Sequence, residues 1–181
     1  MIRGSTYVRW AWIAAALLPV ALLSPLLRSA FSSEGAQGSA IKADYLLVEK
    51  SLKKLTLFSD NRPIKTYDIA LGRNPVGPKL MEGDRRTPEG RYVIDSRNRE
   101  SRFHLSLHIS YPNETDREIT RRAGVSPGGN IMIHGTGDEY AWLGEFHHVL
   151  DWTDGCIAVT NGEIEEIWEL VENGTPIEIR P

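Results

Sequence analysis

A single cysteine, Cys156, is all the thiol chemistry in these 181 residues. No disulfide can form within the chain, so no covalent staple supports the fold. Neither a CxxC pair nor an HExxH segment is present. His134, His147, His148 and Cys156 do not follow the spacing of a zinc site, so no metal and no other cofactor is expected. Basic charge is also scarce. Residues 40–181 carry 18 Lys and Arg against 23 Asp and Glu, a net of −5. With no basic stripe, nucleic acid is excluded as the expected partner. Charged residues at 25% and apolar ones at 41% exclude both a disordered chain and a polytopic membrane protein.

What is present begins with an export signal. Arg3 and Arg9 precede an apolar run, Trp10 to Leu27, broken only by Pro19, Ser24 and Pro25. Residues 1–31 read as a signal peptide or as a retained membrane anchor held through 10–27. Either delivers the remainder to the cell envelope, periplasmic or extracytoplasmic. Residues 32–42 are small and polar, a linker, and residues 43–181 form one domain.

That domain reads as mostly β. Tyr45–Val48 and Leu55–Phe58 flank a turn and predict a hairpin, and Ile64–Leu71 predicts a third strand. A Gly/Pro-rich loop follows over 72–90, then strands at Tyr92–Ile94 and Phe103–Ile109. Thr115–Ala123 is polar and predicts a short surface helix. Thr160 and Glu163 fit a capping box, and Ile164, Ile167, Trp168 and Val171 follow at helical spacing. One solid helix over about 161–172 is therefore expected, then a last strand at Pro176–Ile179. Short strands with one such helix predict a sandwich or barrel-like sheet.

Chemistry concentrates between Asn130 and Asn161. Ile131–Ile133 delivers His134 at a strand end, and a second strand starts at Cys156. Two adjacent strand ends bring an imidazole toward a thiol, the arrangement a thiolate nucleophile needs. A lone Cys is equally a small buried hydrophobe. Gly155 permits close approach of a substrate, and the amides of Gly155 and Cys156 are candidate oxyanion donors. His147 and His148 lie in an expected loop as solvated residues, and His104 and His108 face outward. Trp142 and Trp152 flank the loop as lid, rim or core aromatics.

Three motifs in order carry a resemblance. Gly83-Asp84-Arg85-Arg86-Thr87-Pro88-Glu89-Gly90-Arg91-Tyr92, His134-Gly135-Thr136 and Thr153-Asp154-Gly155-Cys156-Ile157-Ala158 together resemble the YkuD-type L,D-transpeptidase domain, over roughly Asp44 to Arg180. The resemblance implies a β-rich envelope enzyme acting on peptidoglycan stem peptides. It casts Cys156 as nucleophile and His134 as base, with the Gly135 carbonyl orienting the imidazole and Gly155 and Cys156 as oxyanion donors. The thioester formed at the third stem residue, with release of D-alanine, passes to an acceptor amine from a neighbouring stem or a wall-linked protein. Trp152, Thr153, Asp154 and Thr136 are the expected substrate contacts. Asp154 stands where the family usually has His, and the expectation is that it faces a substrate ammonium. Two alternatives stay open: hydrolysis of the same thioester, and a catalytically silent wall-binding module.

Overall fold

The computed structural model describes residues 41–181; the signal or anchor expected over 1–31 and most of the linker lie outside the described residues. The chain starts with the expected hairpin. Strand β1 (Tyr45–Glu49) pairs antiparallel with β2 (Lys54–Ser59), Tyr45 opposite Phe58 and Glu49 opposite Lys54. Strand β3 (Arg62–Asp68) extends it. Four further strands, β4 (Gly90–Ser101), β5 (His104–Ile109), β6 (Met132–His134) and β7 (Ile157–Ala158), precede the C-terminal β8 (Pro176–Arg180). β8 enters parallel to β1 and antiparallel to β4, so the last strand joins the two halves. The order is β3-β2-β1-β8-β4-β5-β6-β7.

The outer ends of this sheet meet. Past β3, Ala70 bridges to Ala158 of β7 and Gly72 bridges to Thr153. Right-handed strand twist carries the sheet round on itself, and the result is the curled, mostly-β fold expected. Its interior holds Leu46, Val48, Leu55, Leu57, Ile94, Leu107, Ile109, Ile133 and Ile157, all fully buried. Each such side chain stabilises the fold by about 1.5–3 kcal/mol relative to exposure.

Two helices follow their sequence signals. Helix α1 (Glu114–Ala123) is capped by Asn113 and ended by left-handed Gly124, and it buries only Thr120. After a four-residue turn, α2 (Gly137–Tyr140), helix α3 spans Asn161–Leu170. The Thr160/Glu163 capping box starts it, and Ile164, Ile167 and Trp168 are buried against β5 and β6. Three strand boundaries differ from expectation. β3 ends at Asp68 because Ile69–Leu71 turn away to bridge β7. β4 runs on to Ser101 although Asp95–Glu100 are polar, because β5 pairs along it outside the core. The strand expected at Cys156–Val159 holds only Ile157 and Ala158, so Cys156 lies in the turn leading in. No helix among the described residues is long and apolar enough to cross a membrane.

The 72–90 loop is held by two ion pairs. Lys79 meets Asp84 at 2.7 Å with both side chains buried, and Lys50 meets Glu89 at 2.8 Å. Burial alone would push the Asp84 carboxyl up. The Lys79 ammonium and the N–H groups of Leu80, Arg86 and Met81 instead hold it below the usual range. Asp84→Ala would strand a buried ammonium and three amides. A loss of roughly 3–5 kcal/mol in urea unfolding is expected, against a change within about 0.5 kcal/mol for the exposed control Glu100→Ala.

Candidate active site

β6 and β7 run parallel with Ile133 level with Ile157 and His134 with Ala158. Extending that register puts Cys156 level with Met132, two residues before His134. Side chains alternate along a strand, so the imidazole and the thiol emerge on one face. Both line a cavity of about 300 Å³, together with Arg73, Arg102, Phe103, Glu139, Tyr140, Trp152, Thr153 and Asp154. A second cavity, of about 530 Å³, opens on the other side of the thiol. Its walls include Lys79, Glu82, Arg85, Asn130 and Ile131, and it shares Asp154 and Cys156 with the first.

His134 is 2% exposed. Phe103 stacks on its ring at 4.3 Å and Trp152 meets it edge-on at 5.8 Å. The Gly135 carbonyl lies 2.6 Å from Nδ1. A carbonyl only accepts, so the proton is on Nδ1 and the Nε2 lone pair is left free when the ring is neutral. Burial lowers the imidazole pKa to about 4; the Gly135 carbonyl opposes this and Arg102 adds to it. The ring is therefore neutral throughout the physiological range.

The thiol does not sit as expected. Its Sγ faces the Asn130 carbonyl at 3.5 Å rather than the imidazole. Burial pushes the Cys156 pKa up, the Met132 N–H beside the sulfur opposes that, and Asp154 raises it further. The resting pair is thus neutral thiol and neutral imidazole, not the lowered thiol pKa that histidine activation implies. Loose catalytic hydrogen bonds are common in enzymes without bound substrate.

Several assigned roles change. The Gly155 N–H donates to Thr153 Oγ1 at 3.1 Å, so it is not an open oxyanion donor. Thr153 Oγ1 also donates to the Cys156 carbonyl at 2.8 Å, which makes Thr153 a turn-builder under Cys156. Thr136, expected against substrate, is buried and donates to Asn161 Oδ1 at 3.2 Å. His147, expected in solvent, is 2% exposed, with Nδ1 and Nε2 lying 3.1 and 3.2 Å from the carbonyls of Gly144 and Asp68. The loop it belongs to is the short α2 and a 3₁₀ stretch, Ala141–His148, interrupted at Gly144. Trp152 lines the first cavity, whereas Trp142 is 79% exposed outside it. Asp154 meets Arg73 at 3.0 Å and Arg85 at 3.9 Å, so it is not a lone anion awaiting an ammonium.

Sequence reasoning missed Arg73, Arg85, Arg102, Phe103 and Asn161. Asn161 Oδ1 takes the Gly137 N–H at 2.9 Å and fixes the turn behind His134. A Cβ on Gly135 would stand 2.6 Å from that same Oδ1, which is why glycine follows the histidine. Arg85 lies within the Gly83–Tyr92 motif, which could have marked it, whereas no local pattern signals the other four, since each reaches the site through pairing distant in sequence. Among the described residues, no three His, Cys, Asp or Glu side chains gather as a metal site.

The model of the L,D-transpeptidase catalytic domain family matches residues 43–179. The Escherichia coli K12 protein named putative L,D-transpeptidase YafK is 29% identical over 134 residues, covering 70% of this chain and 46% of that protein. Among solved structures, the helical cell shape determining protein Pgp2 of Campylobacter jejuni is similar with a TM-score of 0.58 and 26% identity, over 77% of this chain and 48% of that one. Bd1075 of Bdellovibrio bacteriovorus gives 0.52 and 25%, over 77% and 48%. The chain spans about half the length of each of these relatives.

Two titrations check the electrostatics. His134 takes a proton near 6.5 when unfolded but only near 4 in the fold. The unfolded state therefore binds more protons between those values, and stability falls as pH drops through that window, by roughly 3 kcal/mol. Urea unfolding at pH 7 and pH 4 is expected to show this loss in the wild type and a smaller one in His134→Gln. For the thiol, removing the carboxylate charge in Asp154→Asn is expected to lower the midpoint of iodoacetamide alkylation against pH. A midpoint unmoved or raised contradicts the ordering of charges around Cys156.

Proposed function

We infer the function from a plain premise: this chain belongs to the L,D-transpeptidase catalytic domain family. The reading it supports best is a peptidoglycan L,D-transpeptidase, a cysteine-dependent acyltransferase without a cofactor. Its catalytic domain is residues 43–181, carried to the cell envelope by residues 1–31 as signal or anchor. The observation that carries the reading is the position of Cys156 on the wall common to two clefts, one of which holds the neutral His134. An acyl transfer at a third-residue stem carbonyl needs room on both sides of the thiol, for the donor stem on one side and for the departing and then the attacking amine on the other.

In the proposed reaction a third-residue stem carbonyl reaches Cys156. The thiol turns from the Asn130 carbonyl, His134 Nε2 takes its proton, and sulfur bonds to the carbonyl carbon. With a raised thiol pKa and a neutral base, proton transfer accompanies attack rather than preceding it. The Cys156 N–H is the remaining candidate for the oxyanion. Collapse breaks the C–N bond, and D-alanine leaves with the proton from the His134 imidazolium. An acceptor amine, from a neighbouring stem or a wall-linked protein, then attacks the thioester. His134 takes its proton, the C–S bond breaks, and the thiolate is reprotonated.

The experiment is intact mass of the full chain after incubation with a disaccharide-tetrapeptide, with and without an acceptor stem. An adduct of donor minus D-alanine is expected, missing in Cys156→Ala and formed about 10²–10⁴-fold more slowly in His134→Ala. Added acceptor is expected to discharge the adduct into cross-linked product. Release of D-alanine with no such product would assign a hydrolase. No adduct and no D-alanine from folded protein would assign a wall-binding module.

A further inference from the structure

Arg73 and Asp154 have no role in the chemistry above, yet their backbones are built into the turn that carries Cys156. Gly72 bridges to Thr153, and the Arg73 N–H donates to the Thr153 carbonyl at 3.0 Å. The Asn74 N–H donates to the Arg85 carbonyl at 3.1 Å. The Arg73 guanidinium is then turned into the His134 cleft by one contact, Nη1 to Asp154 Oδ1 at 3.0 Å. Among the described residues its other N–H groups have no acceptor, and its side chain is 47% exposed. With Arg85 at 3.9 Å on the same oxygen, the cluster of two guanidiniums and one carboxylate carries a net positive charge. A planar fork whose one edge is fixed and whose other edge is open is suited to a second carboxylate.

Which substrate group lies there follows from the proton. His134 protonates the departing amine and later deprotonates the attacking one, so by microscopic reversibility both occupy the His134 side of Cys156. That side is the cleft containing Arg73. The departing group is a D-amino acid, with amine and carboxylate on one D-carbon. The far centre of a meso-diaminopimelate acceptor has the same arrangement. We propose that Arg73, oriented by Asp154, is the specificity residue that binds the carboxylate on the D-carbon of the leaving and then of the attacking amine. The proposal rests on the acyl-transfer reading. It replaces the ammonium-facing role for Asp154: the aspartate positions the arginine, and the arginine touches substrate.

The test compares two donors, the disaccharide-tetrapeptide ending in D-alanine and the same molecule ending in D-alaninamide. With the full chain, acylation of Cys156 followed by intact mass is expected to be about tenfold faster for the free acid, a modest factor because the guanidinium is half-exposed. Arg73→Gln is expected to slow the acid about tenfold more than the amide, so that the two donors then react alike. Asp154→Asn is expected to shrink the preference, and Arg102→Gln, the other cation in the cleft, to keep it. Equal rates in the wild type, a preference surviving Arg73→Gln, or one lost only in Arg102→Gln each overturn the assignment. If neither donor acylates the wild type, the acyl-transfer reading fails by itself. The carboxylate site is then decided by calorimetry on Cys156→Ala and Cys156→Ala/Arg73→Gln. Tighter binding of the acid than the amide, lost with Arg73, supports the site; no difference overturns it.

Discussion

Three backbone segments meet at Cys156 with no space for a side chain between them. A Cβ on Gly72 would lie 2.2 Å from the Arg85 carbonyl oxygen and 3.0 Å from the Gly155 Cα. One on Gly155, at φ 130, would lie 2.7 Å from the Arg86 carbonyl oxygen. The segment after β3, the GDRRTPEG loop and the turn before β7 are therefore locked main chain to main chain, a closeness only glycine permits. The curl of the sheet depends on this contact, since the Gly72–Thr153 bridge sits within it. So does the direction of the Cys156 side chain. The buried Lys79–Asp84 pair closes the loop from behind, so a motif remote in sequence from Cys156 becomes the wall of its second cleft.

Electrostatics at the site follow from enclosure rather than from charge pairing. An imidazole under Phe103 and Trp152 loses hydration faster than the Gly135 carbonyl can compensate, so its cationic form is disfavoured. The same enclosure disfavours the thiolate. A thiolate–imidazolium ion pair is then the higher state, and the resting site holds both groups neutral. Such a resting state protects a free thiol, because oxidants and alkylating agents react with the thiolate.

Much of this was legible in the sequence where the signal is local. The Thr160/Glu163 box and the Ile164, Ile167, Trp168 spacing define α3, and the short β-type runs flanking a turn define β1 and β2. The order of three motifs pointed to the family whose model matches residues 43–179. What sequence could not supply depends on long-range pairing. Nothing local in Asp95–Ser101 says that this polar stretch will find β5 as its partner, and strand preference is decided by such neighbours. His147 looked like a loop histidine because its acceptors, the Gly144 and Asp68 carbonyls, are assembled by packing onto the end of β3. Gly155 and Thr153 were given substrate-facing roles because a turn's internal hydrogen bonds cannot be read from its composition.

Asp154 shows how far one such contact moves an interpretation. As an isolated carboxylate beside a thiol it is a liability, raising the pKa of the group it adjoins. Placed against Arg73 and Arg85 it becomes the hinge of a cationic cluster spanning both clefts. Its side chain is 77% exposed, so water screens it and the ion pairs alone contribute little to stability. Little folding free energy is at stake in keeping these charges together, yet the Arg73 backbone is tied to the nucleophile turn by hydrogen bonding. A cluster that is weak in stability and rigid in placement is better accounted for by what it presents to the cleft. What it presents is an open guanidinium edge in the cleft that also holds His134.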